Sequence, residues 1–429
     1  MRRLLFVGAP FGPFFRRMAK ELELKKSVVW RACFTGGDML DTATRNRVIF
    51  NGKNEDWPQF FSDFCTKNHI DGVITFNDAL PRNRAALDCA TRLGISRYVL
   101  ENGYLRPHWV TLERDGVNGH SPLPRDPEYY EGKEVTARSY NAFKFRMRPH
   151  VVNTIKYFVS SVALSPFIAF DKSYYGTSIW KQARGYVREY YWRMTHNEDD
   201  IVAKIEAMNH AATKVFSFLL QKPGDLQLVV HSKHGGNNGF VREVIESFAK
   251  HAPQPSILII KQHPLDYGIE KTPKMFRLMI RDLKLEDRVF FLRKTSIDIV
   301  LKQTDGMVTI NSTGGLAGID KGLPVICLGT AFYDMKGLTF QGGLDKFWAE
   351  CEAPDEEWVS KFISYLKGTS QLNGGFHTQE ALNVLMPQLV SLILKDSLVQ
   401  YPVVSLDGNV ESILDSESAL DLKQSSVSR

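Results

Sequence analysis

The sequence predicts an α/β fold of two Rossmann-like domains facing a cleft, with a helical insertion in the first. Three observations lead there. Between Ile257 and Leu328, short apolar runs alternate with helical intervals, the pattern of βαβ units and a parallel sheet. A second series of the same kind occupies Leu4 to Leu100. Between them, from about Asp126 to Leu220, the strand signal gives way to helical periodicity and crowded aromatic residues.

Bulk properties bound the function. At 429 residues the chain is long enough for two domains with separate cores. A hydrophobic fraction of 43% and a charged fraction of 24% are those of a soluble globular protein. The net charge of +6 is mild and spread along the chain. It points to anionic substrates or a membrane surface and away from nucleic acid. Cys33, Cys65, Cys89, Cys327 and Cys351 lie far apart without metal-ligand spacing, so they read as free thiols in a reducing compartment. Met1-Arg2-Arg3 leads into an apolar run too short for a signal peptide. The longest apolar region, Tyr157 to Phe170, is broken by Ser160, Ser161 and Pro166 and is too short to span a bilayer. The expected location is cytoplasmic, peripheral at a membrane.

The elements of domain 1–220 follow in order. Leu4 to Gly8 is a buried strand running through Pro10-Phe11-Gly12-Pro13 into an amphipathic helix that ends near Lys25. A glycine-bearing strand-to-helix turn opens a nucleotide fold, yet GxGxxG is absent, which weakens a dinucleotide reading. Val28 to Phe34 is a strand, Trp57 to Asn68 a helix, Asp71 to Phe76 a strand, Arg82 to Leu93 a helix and Tyr98 to Leu100 a strand. That last strand ends in Glu101-Asn102-Gly103-Tyr104-Leu105-Arg106-Pro107, and the segment from His108 to Gly119 reads as a loop. A carboxylate at a strand end beside a glycine and an arginine suits an acid/base with an anion clamp. The plainer alternative is Glu101 salt-bridged to Arg106, holding the loop.

In the insertion, about 126–220, helices are expected over Lys144 to Leu164, Tyr174 to Thr195 and Asp199 to Leu220. Tyr174, Tyr175, Trp180, Tyr186, Tyr190, Tyr191 and Trp192 are interleaved with Lys181, Arg184, Arg188 and Arg193. This is either a lipid-headgroup or acceptor surface or an aromatic-packed subdomain. Asn197-Glu198-Asp199-Asp200 reads as an N-cap with acids in the first turn, not as a metal cluster.

The second domain is expected over 221–370. Pro223-Gly224-Asp225 turns into a strand, Leu228 to Val230, and a helix covers Phe240 to Lys250. Asp225 is either a cleft-facing carboxylate or a turn aspartate bonding its own backbone. Strands follow at Ile257 to Ile260, Val289 to Leu292, Gly306 to Ile310 and Pro324 to Leu328. Lys261-Gln262-His263-Pro264, Asn311-Ser312-Thr313-Gly314-Gly315 and Gly329 stand just past their carboxyl ends, where such sheets bind ligands. A hydroxyl-Gly-Gly turn opening a helix offers N–H groups to an anion, and His263 adds a donor on a stiff turn. Together they read as a nucleotide phosphate site. Loop Ala331 to Thr339 and helices Asp355 to Leu366 and Gln379 to Leu394 complete the fold, with 371–400 as a C-terminal helix and 401–429 as a disordered tail.

At these residues the chain resembles the bacterial capsule polysaccharide biosynthesis family, in the branch of the β-Kdo transferase that starts lipid-linked oligo-Kdo. The matching pieces are Gly12-Pro13-Phe14-Phe15, Glu101 to Pro107, Thr111, Glu113, Gly116-Val117-Asn118-Gly119, Ser121 to Arg125, Leu220-Gln221, Asp225, Gln227, His231-Ser232, His263-Pro264, Asn311-Ser312-Thr313, Gly329, Tyr333 and Gly337-Leu338-Thr339. Asn77 departs from the pattern, which has glycine there, and the residues flanking Asp225 also differ.

The resemblance implies a GT-B-like fold and an enzyme, a retaining β-Kdo glycosyltransferase that uses a CMP-sugar donor, CMP-Kdo. It implies a phospholipid acceptor of the (lyso)phosphatidylglycerol type at the inner-membrane surface, other capsule biosynthesis and export proteins as partners, and no cofactor or metal. Residue by residue, it places CMP on His263, Ser312 and Thr313, with Lys261, Gly329 and Tyr333 around them. Glu101 becomes the acid/base and Asp225 the nucleophile, with Arg106, Asn118, Gln227 and His231 facing the substrate. Two alternatives stay open: another CMP-sugar transferase of capsule synthesis, or a non-catalytic scaffold of the assembly and export complex.

Overall fold

The computed structural model describes residues 1–8, 10–40, 46–143, 147–168, 179–210, 214–223, 228, 233–264, 266 and 272–401. Met1–Val399 form one compact unit. The tail expected to be disordered lies outside the described residues beyond Tyr401.

In chain order the first half holds β1 (Arg3–Val7), α1 (Phe14–Leu24), β2 (Val28–Cys33), α2 (Gly36–Leu40), β3 (Asn46–Ile49), α3 (Trp57–Lys67), β4 (Gly72–Phe76), α4 (Pro81–Arg92), β5 (Ser96–Asn102) and β6 (Trp109–Glu113). The insertion supplies α5 (Met147–Ala163), α6 (Ile179–Thr195) and α7 (Asp199–His210). The second half holds β7 (Lys214–Leu219), α8 (Asn237–His251), β8 (Ser256–Lys261), α9 (Thr272–Asp282), β9 (Val289–Leu292), α10 (Ile297–Lys302), β10 (Gly306–Thr309), α11 (Thr313–Ile319), β11 (Val325–Cys327), α12 (Leu344–Glu350) and α13 (Glu356–Gly368). The chain ends with β12 (Gln371–Asn373) and α14 (Gln379–Lys395).

Two sheets result. The first has the order β12-β6-β5-β4-β1-β2-β3, the second β11-β10-β7-β8-β9. The second sheet is parallel throughout. In the first, β6 and β12 are antiparallel additions to a parallel set. Parallel strands are covered on both faces, so they are apolar almost without interruption, as in Leu4, Leu5, Phe6 and Val7. One face of the first sheet packs on Phe14, Met18 and Leu22 of α1 and on Leu385, Leu389 and Ile393 of α14. The other packs on Trp57 and Phe61 of α3 and Ala86 and Ala90 of α4. In the second sheet, Phe240, Val244 and Phe248 of α8 and Trp348 of α12 fill one face. Ile205 of α7 lies on the other. This is the two-half α/β arrangement of the GT-B type.

Four elements differ from expectation, the first being Gln371–Asn373, which opens the segment read as a C-terminal helix and is the strand β12. Lys214–Leu219, read as the end of a helix, is the central strand of the second sheet, so that half begins before residue 221. Its run Val215-Phe216-Ser217-Phe218-Leu219 is apolar without alternation, and such short runs fit a buried strand or a buried helix equally. Leu228, read as opening a strand, is helical, and residues 229–232 lie outside the described residues. Trp109–Glu113, read as loop, is β6. The helix expected over Tyr174 to Thr195 is described from Ile179.

Candidate functional site

The carboxyl ends of the neighbouring strands β8, β7 and β10 meet in the second half. Gln221, after β7, is clamped by Asn237, whose Oδ1 accepts from its N–H at 3.1 Å and whose Nδ2 donates to its carbonyl at 2.9 Å. Gln221 Nε2 then donates to Asn311 Oδ1 at 2.8 Å, tying the end of β7 to that of β10. Ser312 caps α11, its Oγ accepting from Gly314 N at 3.1 Å. The Tyr333 hydroxyl, fully buried, donates to the Ser312 carbonyl. A Cβ on Gly315 would overlap that hydroxyl, so glycine is what lets Tyr333 approach. Tyr333 therefore shapes the Ser312–Thr313 turn from beneath. Gly329 extends the strand pairing through its N–H to Ile310 O, 2.9 Å.

His263 follows β8. Burial pushes its imidazole down to about 4, and Arg106, Lys222, Lys261 and Arg193 push the same way. Lys261 is buried, and its Nζ donates to the carbonyls of Gln262 at 2.6 Å and Arg293 at 3.0 Å. Burial lowers its ammonium to about 8, with Glu198 pulling upward. Arg193 of α6 donates to Pro264 O at 2.8 Å, so the insertion grips the His263–Pro264 turn. Glu198 fixes the next strand end, accepting from the N–H groups of Arg293, Lys294 and Thr295. These bonds outweigh its burial and hold its carboxyl below the ordinary range.

The first half contributes the Glu101 loop. Glu101 Oε1 accepts from Asn102 N at 2.8 Å and Asn102 Nδ2 at 3.0 Å, and the side chain is half-exposed. Arg106 is exposed and donates to Gly103 O at 3.3 Å. Its charge reaches His263, so the loop faces the strand ends of the other half. Tyr104 is buried, with its ring stacked on Phe332 at 3.9 Å. Its hydroxyl donates to Glu113 Oε2 at 3.1 Å and accepts from Asn118 N at 2.7 Å. Asn118 has a φ of 55° and Asn77 one of 56°, the left-handed region that asparagine tolerates best after glycine. That explains why asparagine can replace a glycine at position 77.

The fully buried carboxyl of this loop is Glu113, on the next strand. Burial pushes it up to about 8, against hydrogen bonds from Ser121, Tyr104 and Ser370 and with a further push from Asp78. Asp78, also buried, accepts from Val117 N at 3.2 Å and lies 2.9 Å from His120 Nδ1. Two carboxyls thus lie beneath the Glu101–Gly119 loop. His150 and His377, also unforeseen, meet at 3.2 Å. Burial lowers His377 to about 4 and lowers His150, the latter with help from Lys222. Asp225, Gln227 and His231 lie outside the described residues. The structure therefore gathers His263, Lys261, Ser312, Thr313, Gly329 and Tyr333 at one sheet end, with Arg106 facing them.

Against this geometry the comparisons with known proteins can be set. The family described as "Capsule polysaccharide biosynthesis protein" matches residues 71–377. The chain belongs to this family. Its matched span contains the Glu101 loop, the strand ends around His263 and Ser312 and both histidines of the 150–377 pair. Among similar proteins, capsule polysaccharide modification protein LipB of Neisseria meningitidis serogroup B is 30% identical over 395 residues, covering 88% of this chain and 92% of LipB. Capsule polysaccharide export protein KpsS of Escherichia coli is 28% identical over 377 residues, covering 88% of this chain and 97% of KpsS. Among solved structures, Thermosulfurimonas dismutans KpsC, a beta Kdo 2,7 transferase, aligns with 92% of this chain at 14% identity and a TM-score of 0.43.

Proposed function

We propose that this capsule-family chain is a retaining β-Kdo glycosyltransferase, moving Kdo from CMP-Kdo to a (lyso)phosphatidylglycerol-type lipid at the inner-membrane surface. The observation that carries the reading is the cation field at His263, drawn from both halves: Arg106 from the first, Lys222 and Lys261 from the second and Arg193 from the insertion. Such a field suits the phosphate of a nucleotide-sugar that lies across the cleft.

In this reading Asp225 attacks the anomeric carbon, and the bond to the CMP phosphate breaks with its electron pair leaving on CMP. His263 and the surrounding cations take up that charge, so no metal is called on. The acceptor hydroxyl then attacks the same carbon while Glu101 removes its proton, and the Asp225 carboxylate departs. Two inversions give retention. Lys261 and Tyr333 act beneath the surface, holding the strand ends in place. Incubation with CMP-Kdo and a fluorescent lipid, with EDTA present, tests the reading by product mass. A lipid carrying one more Kdo supports it; absence of product that magnesium restores would sink the metal-free mechanism. A transferase for another CMP-sugar would give product only with that sugar, and a scaffold would give none.

A further inference from the structure

The two long helices of the insertion carry their polarity inside out. On α5, the side facing the protein combines polar contacts with the rings of Tyr157 and Phe158 against Phe11. His150 meets His377, and the Tyr157 hydroxyl lies 2.7 Å from Thr35 Oγ1 and donates to Asp38 Oδ1 at 3.2 Å. Ser161 Oγ accepts from Gly37 N at 3.1 Å. The opposite side carries Val151 and, spaced three or four apart, Val152, Ile155, Val159 and Val162. Ile155, Val159 and Val162 are 56%, 62% and 60% exposed. A surface helix of a globular protein shows the reverse pattern. Helix α6 repeats the inversion: Glu189 and Arg193 pair inward, while Val187, Tyr190, Tyr191 and Met194 point out. Apolar stripes of this extent mark a surface that meets something other than water.

Charge selects what that is. Helix α5 contains no aspartate or glutamate, and exposed Arg148 and Lys156 border its stripe. Exposed Arg184 and Arg188 lie beside the stripe of α6. Two copies joined through α5 would bring like charges together, whereas an anionic lipid surface complements them. We propose that the outward face of α5 seats the protein on an anionic bilayer, its branched side chains in the headgroup–acyl boundary and Arg148 and Lys156 against lipid phosphates. The proposal rests on the lipid-acceptor reading and adds the surface that brings the protein to its lipid. The inward face of the same helix holds His150 against His377, which lines a cavity with Asn102 and Pro107 of the Glu101 loop, so the seat and that loop are tied through one element.

The test uses the full chain and vesicles of phosphatidylcholine with and without phosphatidylglycerol. Wild type should sediment with the anionic vesicles and be released by salt. Ile155→Asp combined with Val159→Asp should lower partitioning by about tenfold or more, the effect of withdrawing two branched side chains from lipid. CMP binding by calorimetry should be unchanged and will report that the variant is folded. Lys156→Glu, a single change on an exposed position, should weaken only the component that depends on phosphatidylglycerol. Vesicle binding equal to wild type in both variants overturns the proposal. So does a wild-type dimer, with no vesicle binding, that becomes monomeric in the double variant, since the face would then belong to a second copy. Transfer to a detergent-dispersed lipid needs no seat. Its retention by the double variant supports the proposal, and its absence in wild type would strike the acceptor reading alone.

Discussion

His263 is kept neutral by burial and by four cations. Its folded pKa of about 4 lies below the ordinary 6.5, so the unliganded fold loses stability as pH falls through that interval, where only the unfolded chain takes up the proton. A phosphate among the cations reverses the local field. CMP binding should therefore take up a proton near pH 5, about midway in the interval, readable by calorimetry in buffers of differing ionisation enthalpy. His263→Ala should abolish that uptake and cost about 1.5–3 kcal/mol of CMP affinity, the range for a hydrogen bond to a charged group. Equal affinity in the two proteins would remove His263 from the nucleotide site. Glu113 has the opposite sign. Its pKa rises from 4.5 to about 8, so the fold is favoured by the protonated form and loses stability as pH climbs through that window. Glu113→Gln should flatten the profile, gaining on wild type in urea melts at pH 8 relative to pH 5; parallel profiles would refute it. At this scale the sequence was informative wherever a polar residue closes an apolar run, as at His263 and Ser312. Glu113 was hidden because it shares one face of β6 with Trp109 and Thr111 while Val110 and Leu112 make the apolar face, so its side reads as the solvent side, and its burial comes from β12, 260 residues away at the Thr111–Gln371 contact.

At the scale of elements, the strand end at Ser312 depends on one missing side chain. Gly315→Ala places a methyl where the Tyr333 hydroxyl and the Thr309 methyl now sit. Overpacking of this kind costs about 1–3 kcal/mol. The melting temperature should drop and CMP affinity should fall with it, because the Ser312–Thr313 turn is displaced; a variant with wild-type melting and wild-type CMP affinity would show that the turn can absorb the methyl. The elements most legible in the sequence were those bounded by turn residues, such as β8 before His263-Pro264. The run Lys214–Leu219 was misread because nothing punctuates it: α7 ends at His210 and no proline or glycine intervenes before β7. The insertion helices were legible in position and not in orientation, since periodicity shows that a helix has two faces without showing which one is buried.

Across the whole molecule the two halves meet through Tyr104 and Phe332, stacked at 3.9 Å, with Phe332 also against Phe362. Tyr104 at the same time anchors Asn118. Phe332→Ala should therefore disturb the Glu101 loop from the opposite half. We expect turnover to fall while CMP affinity, which the proposed function assigns to the β7–β8–β10 ends, holds; loss of both in equal measure would mean that the ring supports the entire cleft. Neither partner of this pair carries a sequence signal, because stacking between distant loops leaves no periodicity.

The small strand β12 has a consequence in time. Leu372 and α14 complete the core around Phe14, Phe15 and Met18 near the amino terminus. On the ribosome, that core cannot close until nearly the whole chain has emerged, although β1 to β5 are made first. The amino-terminal half should remain open to protease in nascent chains stalled before residue 371, and become resistant once α14 has cleared the exit tunnel. The half whose sequence emerges later, with its five strands contiguous from Lys214 to Cys327, should be the earlier to gain protection, inverting the order of synthesis.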